Sequence, residues 1–219
     1  MITTDDEEDP VDGPQATWQQ PDPGSPWGLT PPPAGPLEPV GGLATAVLVL
    51  SGVATATDLL AALTSFGADP TSGFDVATDV SVLTSVCWLA ALVVTSVWLL
   101  RVRRNAERMS PFHHHVRSRG WAWAGWVVPV VSWWFPFQVV RDALTASAAA
   151  RPGRLPRPPL ALWWGTWVAS QALTNLGTLL TGGVGPAAGA VQLVGVAVLG
   201  VALVPWVRVV RTATALQTP

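Results

Sequence analysis

Four apolar stretches, each long enough to cross a lipid bilayer as a helix, are separated by short polar segments along this chain. They cover about residues 43–66, 80–100, 160–180 and 186–207. Because an α-helix rises about 1.5 Å per residue, about 20 apolar residues span the ~30 Å hydrocarbon layer. The pattern predicts an all-α fold, an integral membrane helical bundle with four transmembrane helices in a domain of residues 41–212.

A further apolar stretch begins at Trp121 and is also long enough to span, but Pro129 and Pro136 interrupt it. Proline removes a backbone donor and breaks the helical hydrogen-bond ladder. We expect a Trp/Pro-rich re-entrant or interfacial helical hairpin over about residues 121–150, with a first short helix that ends at Val131. Pro136 then occupies the first turn of the second helix, where its missing N–H is harmless. The alternative is a further crossing helix.

The distribution of basic residues favours the hairpin over the crossing helix. The chain has no Lys, and its twelve Arg stand at positions 101, 103, 104, 108, 117, 119, 141, 151, 154, 157, 208 and 211. With a hairpin all of them lie on one side of the membrane, whereas a crossing helix divides them into two groups of six. Cytoplasmic loops of membrane proteins carry the excess of Lys and Arg. We therefore predict a multi-pass plasma-membrane protein with both termini in the cytoplasm.

Residues 1–40 differ in composition from the rest of the chain. Residues 1–38 hold eight of the fourteen acids and no base, and prolines recur throughout the segment. Such a segment buries too little apolar surface to offset the entropy of ordering it, so we predict a disordered, acidic, Pro-rich cytoplasmic tail. A solvating leader is the simpler interpretation. The alternative is a docking arm for a cytoplasmic protein partner, because the run of prolines at 31–33 favours the polyproline II form that recognition domains bind.

Polar or small residues form a stripe at helical spacing on each predicted span. Gln171 and Asn175 lie one turn apart in the third span, and Asp58 is the acid inside the first. Small and polar residues drive helix association in lipid, so we first interpret these stripes as the interface of the bundle, which also permits a homo-oligomer. The alternative is a polar cavity lined by these three side chains, because ionisable residues within a membrane are commonly functional.

No arrangement of residues in the sequence predicts catalysis. There is no phosphate-binding glycine loop, no nucleophile paired with a base and no zinc-protease helix. His113, His114 and His115 are consecutive and point in different directions on a helix, so we expect no metal site. We also expect no cofactor. Membrane orientation and anionic lipid headgroups explain the Arg residues, which leaves no support for nucleic-acid binding.

A series of short motifs indicates structural and interaction residues. In order, the sequence contains RVRRNA from 101, RGW from 119, GWVVP from 125, WFP from 134, VRD from 140 and WWGTW from 163. In combination they resemble an actinobacterial membrane-protein family catalogued as domain of unknown function 4328, over about residues 43–210. The resemblance implies a multi-span membrane protein and no assigned activity. The candidate structural or interaction residues are Arg101, Arg103, Asn105, Trp121, Trp126, Pro129, Trp134, Pro136, Arg141, Asp142, Trp163, Trp164 and Trp167.

The predicted function is that of a non-enzymatic, membrane-embedded interaction or regulatory module with a basic cytoplasmic face. Within it we expect Asp142 to form an ion pair with Arg101 or Arg103 and so to pin the hairpin to the second span. The alternative function is a small solute transporter or a lipid-handling protein that uses the hairpin and the polar helix faces, since broken helices line such paths. An intramembrane enzyme is a third class, which the missing catalytic residues disfavour.

Overall fold

The computed structural model describes residues 35–66, 76–153, 158–183 and 185–218. Within these ranges the backbone forms six α-helices and one short 3-10 helix, without strands, so the all-α prediction is confirmed. The α-helices are α1 (Gly41–Ser65), α2 (Val76–Met109), α3 (Trp121–Val127), α4 (Phe135–Ala149), α5 (Leu160–Thr181) and α6 (Pro186–Gln217). Residues 1–34 of the predicted tail, and the loop that carries Asp69 and Asp75, lie outside the described residues.

Three of the described helices, α1, α2 and α6, are long and apolar enough to cross a membrane. They indicate a membrane protein. Helix α5, with 22 residues, has the necessary length but is not among the three. Its apolar sequence is interrupted by the polar stripe that contains Ser170, Gln171, Thr174 and Asn175.

Helices α2 and α6 extend beyond their predicted ends at residues 100 and 207, to Met109 and Gln217. No proline or glycine follows residue 100 until Pro111, so nothing in the sequence stops α2 earlier. The predicted basic loop therefore begins as helix, and its first four Arg stand on the last turns of α2.

The segment between residues 121 and 149 forms a helix, a turn and a second helix. Helix α3 ends at Val127 rather than at the predicted Val131, because a residue close before a proline is driven towards extended backbone, as Val128 is at ψ 117°. The chain then turns through Val130 at φ 67°, where the Val131 N–H donates to the Pro129 carbonyl at 2.8 Å. This is a strained γ-turn for a β-branched residue. The 3-10 helix Val131–Trp133 follows it.

Helix α4 begins at Phe135 and holds Pro136 in its first turn, as predicted. The first N–H groups of a helix have no intrahelical acceptor, so proline loses nothing there. Helix α4 packs against α2 and α3.

Helix α1 packs against α2 and α6, and α6 packs along α5. Small residues set the distance between α5 and α6. A Cβ atom on Gly177 would overlap the side chain of Val191, and the Ser170 hydroxyl donates to the Gly195 carbonyl at 2.8 Å. Such close approach through small residues is the usual basis of helix association in lipid.

The hydrophobic core lies at the Arg-bearing end of the bundle, where α1, α2, α4 and α6 meet. Trp98, Val102, Val139 and Val209 are fully or almost fully buried there. At the opposite end of α5, large apolar side chains such as Leu179 are exposed. Exposed apolar surface of this kind matches a lipid environment rather than water.

Candidate functional site

A cavity of about 650 Å³ lies between α1, α2, α5, α6 and the segment from α3 to the 3-10 helix. Small-molecule sites commonly have volumes of about 300–1,000 Å³ and mostly apolar walls with a few polar groups. The aromatic residues that line the cavity are Trp88, Trp126, Trp133, Trp163, Trp167 and Trp206. Its polar residues are Ser51, Thr55, Thr95, Ser132, Gln171 and Asn175. The cavity is therefore the candidate binding site of the molecule.

Helical periodicity explains how each helix supplies several lining residues. In α5, Trp163, Trp167, Gln171 and Asn175 recur at every fourth position and all line the cavity. Residues with this spacing share one face of a helix. Gln171 and Asn175 of the predicted polar stripe thus face the cavity, and the aromatic residues before them continue the same face. Ser170 and Thr174 of that stripe lie against Gly195 of α6 instead.

Contacts between indole rings hold the aromatic part of the wall in place. Trp163 and Trp206 stack with their ring centroids 4.6 Å apart, and Trp126 meets Trp167 edge to face at 6.0 Å. The Trp206 N–H donates to the Ser51 hydroxyl at 3.1 Å. Offset and edge-to-face pairs add to the apolar burial of each ring, so the wall is preorganised.

The three polar residues predicted inside the membrane have different positions in the structure. Gln171 and Asn175 both line the cavity, and the Asn175 amide donates to the Gln171 carbonyl at 2.7 Å. Asp58 is not one of the described lining residues. Its carboxylate accepts the indole N–H of Trp88 at 3.0 Å, and Trp88 lines the cavity. Asp58 is therefore linked to the cavity wall by its hydrogen bond with Trp88.

A second group of polar residues, which we call the anchor network, is buried at the Arg-bearing end. Its centre is Asn105, which is 0% exposed. The Asn105 amide donates to the Glu38 carbonyl at 2.8 Å and to the Gln217 side-chain oxygen at 3.1 Å, and it accepts the Glu38 N–H at 2.8 Å. Gln217 in turn donates to the Val102 carbonyl at 2.8 Å and to the Ser147 hydroxyl at 3.0 Å. The network joins α2, α4, α6 and the segment before α1.

Glu38 is also bound through its side chain. Its carboxylate lies 3.0 Å from the Arg104 guanidinium, 3.2 Å from that of Arg108 and 4.0 Å from that of Arg101. Arg101 also donates to the Pro39 carbonyl at 3.2 Å. Residues 35–40, assigned to the tail on composition alone, are thus packed against α2.

The predicted ion pair between Asp142 and Arg101 or Arg103 is wrong. Asp142 accepts the Val116 backbone N–H at 3.0 Å and lies 3.5 Å from the adjacent Arg141. A buried carboxylate satisfied by a backbone N–H needs no distant guanidinium. Asp142 therefore ties α4 to the loop before α3.

Arg103, which is 3% exposed, has other partners. Its guanidinium donates to the Glu107 carboxylate at 2.8 Å and to the Arg117 carbonyl at 2.9 Å. Glu107 also accepts from Arg119 at 2.6 Å, and this hydrogen bond and its charge raise the pKa of the Arg119 guanidinium. Burial, followed by the positive charge of Arg103, lowers the pKa of His115 below its ordinary value of 6.5. The loop before α3 is thus held by charge on α2.

The hairpin candidates pack mainly on one another. Trp121 meets Phe135 edge to face with centroids 4.6 Å apart, and a Cβ atom on Gly125 would lie 3.3 Å from Phe135 and 3.7 Å from Pro136. The Trp164 N–H donates to the Trp133 carbonyl at 2.9 Å and ties the turn to α5. Trp134, which directly precedes α4, stays 42% exposed.

The sequence interpretation did not identify Glu38, Ser147 and Gln217 as site residues. Gln217 lies beyond the predicted end of the fourth span, and Glu38 was grouped with the acids of the tail. The available signal was the continuous helical sequence after residue 207, which has no proline or glycine before the C-terminal residue. That signal supports a longer helix but does not identify a partner for its last amide.

Comparison with known proteins agrees with the motif resemblance. The family model described as Domain of unknown function (DUF4328) matches residues 74–184. The matched segment includes α2, α3, α4 and α5, and thus Asn105, Asp142 and the aromatic stripe of α5. No curated protein and no solved structure matches the chain.

Proposed function

The chain belongs to the family described as Domain of unknown function (DUF4328), and from this premise we propose that it is a multi-span, non-enzymatic membrane protein that binds a small amphipathic molecule. The observation that carries the proposal is the aromatic cavity of about 650 Å³ between the helices. Its walls combine six Trp with hydroxyl and amide groups, which suits a ligand with a large apolar part and one polar part.

In the proposed topology α1, α2, α5 and α6 cross the plasma membrane of an actinobacterium, and both termini are cytoplasmic. The packing of α5 supports its role as a fourth span. It contacts α6 at Trp163–Trp206, at Ser170–Gly195 and at Gly177–Val191, so the two helices run antiparallel along nearly the whole length of α5. Since α5 packs along the apolar helix α6, we expect the two helices to cross the membrane together.

In the same proposal α3 and α4 form the re-entrant or interfacial hairpin. The hairpin is flanked by Arg119 before it and by Arg151 after it. This supports the placement of both ends on the basic side, since positive residues stay on the cytoplasmic face. Its turn reaches the cavity at Ser132 and Trp133. A ligand-contacting hairpin fits a protein that binds or moves solutes or lipids.

A second candidate function is the interaction module, in which residues 1–40 dock a cytoplasmic protein and the Arg residues meet anionic lipids. The observation that favours it is the fixed attachment of Glu38, which holds the end of this segment on α2. Deleting residues 1–34 separates the two candidates. An interaction module loses its crosslinked partner, whereas a ligand-binding protein keeps its ligand.

The test of cavity binding uses two photoreactive phenyldiazirines with the full chain in phosphatidylcholine nanodiscs. One probe carries a trimethylammonium-methyl group, and the other is its neutral isostere, in which carbon replaces the nitrogen. Mass spectrometry maps the labelled residues. We expect saturable labelling at the cavity wall by at least one probe.

Two substitutions on neighbouring residues distinguish the cavity from the lipid-facing surface. Ala202 lines the cavity and is 2% exposed, whereas Val201 is 57% exposed. Ala202→Phe fills part of the cavity and should reduce saturable labelling about tenfold, since a filled site excludes its ligand. Val201→Phe should leave it unchanged. Labelling that is not saturable with either probe, or that Ala202→Phe does not alter, contradicts the proposal.

A further inference from the structure

Three polar side chains of the cavity wall keep oxygen lone pairs for an occupant. The Asn175 amide donates one of its two N–H groups to the Gln171 backbone carbonyl at 2.7 Å, and the Thr55 hydroxyl donates to the Ser51 backbone carbonyl at 2.9 Å. The Ser51 hydroxyl oxygen accepts from Trp206 at 3.1 Å. The oxygens of these three side chains therefore keep lone pairs that an occupant of the cavity can meet. Such oxygen acceptors favour a ligand whose N–H or C–H groups carry partial positive charge.

Three of the six indoles of the cavity wall also donate their N–H groups to the protein. The Trp88 N–H donates to Asp58 at 3.0 Å, the Trp126 N–H to the Ala122 carbonyl at 3.1 Å, and the Trp206 N–H to Ser51. With these three N–H groups occupied, these three rings contribute mainly their π faces. The face of an indole carries negative potential and attracts cations, including ammonium groups that have no N–H.

The charged group beside the cavity, the carboxylate of Asp58, is also negative. Among the lining residues that the structure describes there is no Arg and no His. Asp58 follows Ser51 and Thr55 on the same face of α1, at offsets of seven and three residues. Its carboxylate bonds the N–H edge of Trp88, so its negative charge adds to the negative potential of that ring.

From these three features we infer that the cavity is selective for a lipophilic organic cation, a quaternary or tertiary ammonium compound with an aromatic or alkyl body. The inference rests on the proposed function and names its ligand class. The ammonium group lies among the indole faces on the Trp88 side, where Asp58 is the counter-charge, and the apolar body packs against residues such as Leu92 and Leu203. Neutral molecules of equal shape lack the electrostatic part of this attraction, and anions meet repulsion.

The probe pair described above tests the selectivity. The two molecules differ in a nitrogen-for-carbon exchange, so their shapes match and their charges do not. The half-saturating concentration of each probe is corrected for its partition into protein-free nanodiscs. We expect the cation to saturate the cavity at a concentration at least about tenfold lower than its neutral isostere, because a desolvated cation over several indoles is strongly attracted.

Asp58→Asn tests the counter-charge and keeps an oxygen for the Trp88 N–H. It should raise the half-saturating concentration of the cation about tenfold and leave that of the neutral isostere within about twofold, since one unit of charge is removed near the site. The matched control is Asp79→Asn, an exposed acid in the first turn of α2, which should alter neither value. If Asp58→Asn does not fold, Trp88→Phe keeps a ring and breaks the link to the carboxylate, and it should weaken binding of the cation more than binding of its neutral isostere.

The outcomes separate the inference from the proposed function. If neither probe labels the cavity saturably, the proposed function itself is overturned. If both probes saturate at equal corrected concentrations, the cavity binds ligands but the cation selectivity is overturned. If the cation is preferred and Asp58→Asn does not change that preference, the role of Asp58 as counter-charge is overturned.

Discussion

Replacement of Asn105 by leucine removes the centre of the anchor network while nearly conserving side-chain volume. In the folded protein this amide satisfies the Glu38 N–H, the Glu38 carbonyl and the Gln217 side-chain oxygen. Leucine can replace none of these bonds. The segment before α1 then loses the Asn105 bonds to the Glu38 backbone and retains the contacts that Arg side chains of α2 make with the Glu38 carboxylate and with the Pro36 and Pro39 carbonyls.

The magnitude follows from the number and burial of the groups left without partners. A buried polar group without a hydrogen bond costs about 1–3 kcal/mol. Gln217 is 2% exposed and cannot turn to water, whereas the Glu38 side chain is 23% exposed, so water can reach that residue. Taking the lower value for each of the three groups, we expect Asn105→Leu to reduce the free energy of unfolding by about 3 kcal/mol.

The assay is denaturant unfolding of the full chain in detergent micelles, followed by tryptophan fluorescence. Hydrogen exchange of residues 36–40 gives a local readout, and exchange there should accelerate in Asn105→Leu because the Glu38 N–H is released. The matched control is Asn175→Leu. Asn175 is exposed and its side chain donates to a carbonyl of its own helix, so the same chemical change should cost less than about 1 kcal/mol.

An equal loss of stability in Asn105→Leu and Asn175→Leu would refute this reasoning, because it would show that the buried position of the amide has no special weight. Unchanged exchange at residues 36–40 would likewise show that Asn105 does not hold the segment before α1.

Three further predictions use the same unfolding assay. Val130→Gly should raise the free energy of unfolding by about 1 kcal/mol, because glycine adopts the positive φ of the γ-turn without strain, and a decrease would exclude strain at that turn. Burial and nearby positive charge lower the pKa of His115, so protonation opposes folding. Stability should therefore fall as pH drops below 6.5, and His115→Gln should remove that part of the pH dependence; an unchanged pH profile would contradict it. Gly177→Leu should destabilise by about 2 kcal/mol or more, because its side chain overlaps α6, whereas Gly165→Leu on the same helix meets open space and should be neutral or slightly stabilising. Equal effects of the two leucines would show that α5 and α6 do not pack closely at Gly177.

Local sequence determined the helices and the side chains that share a face. The lengths of the apolar runs predicted α1, α5 and the start of α6, and Pro136 marked the start of α4. Spacing in α5 placed Gln171 and Asn175 on one face. These features depend on residues a few positions apart, so periodicity and the backbone restrictions of proline suffice to predict them.

Contacts between distant residues were decided only by the tertiary structure. The sequence grouped Glu38 with a disordered acidic tail, but Asn105 and three Arg side chains bind it from positions more than 60 residues away. Asp142 was expected to form an ion pair with an Arg on α2, but its carboxylate accepts a hydrogen bond from the Val116 backbone N–H instead. From the sequence alone, each Trp of the cavity is consistent with a position at the membrane–water interface. Only helix packing brings the six around one space. A buried polar group takes whichever partner the fold brings within about 3 Å, and that choice depends on the packing of whole helices rather than on local sequence.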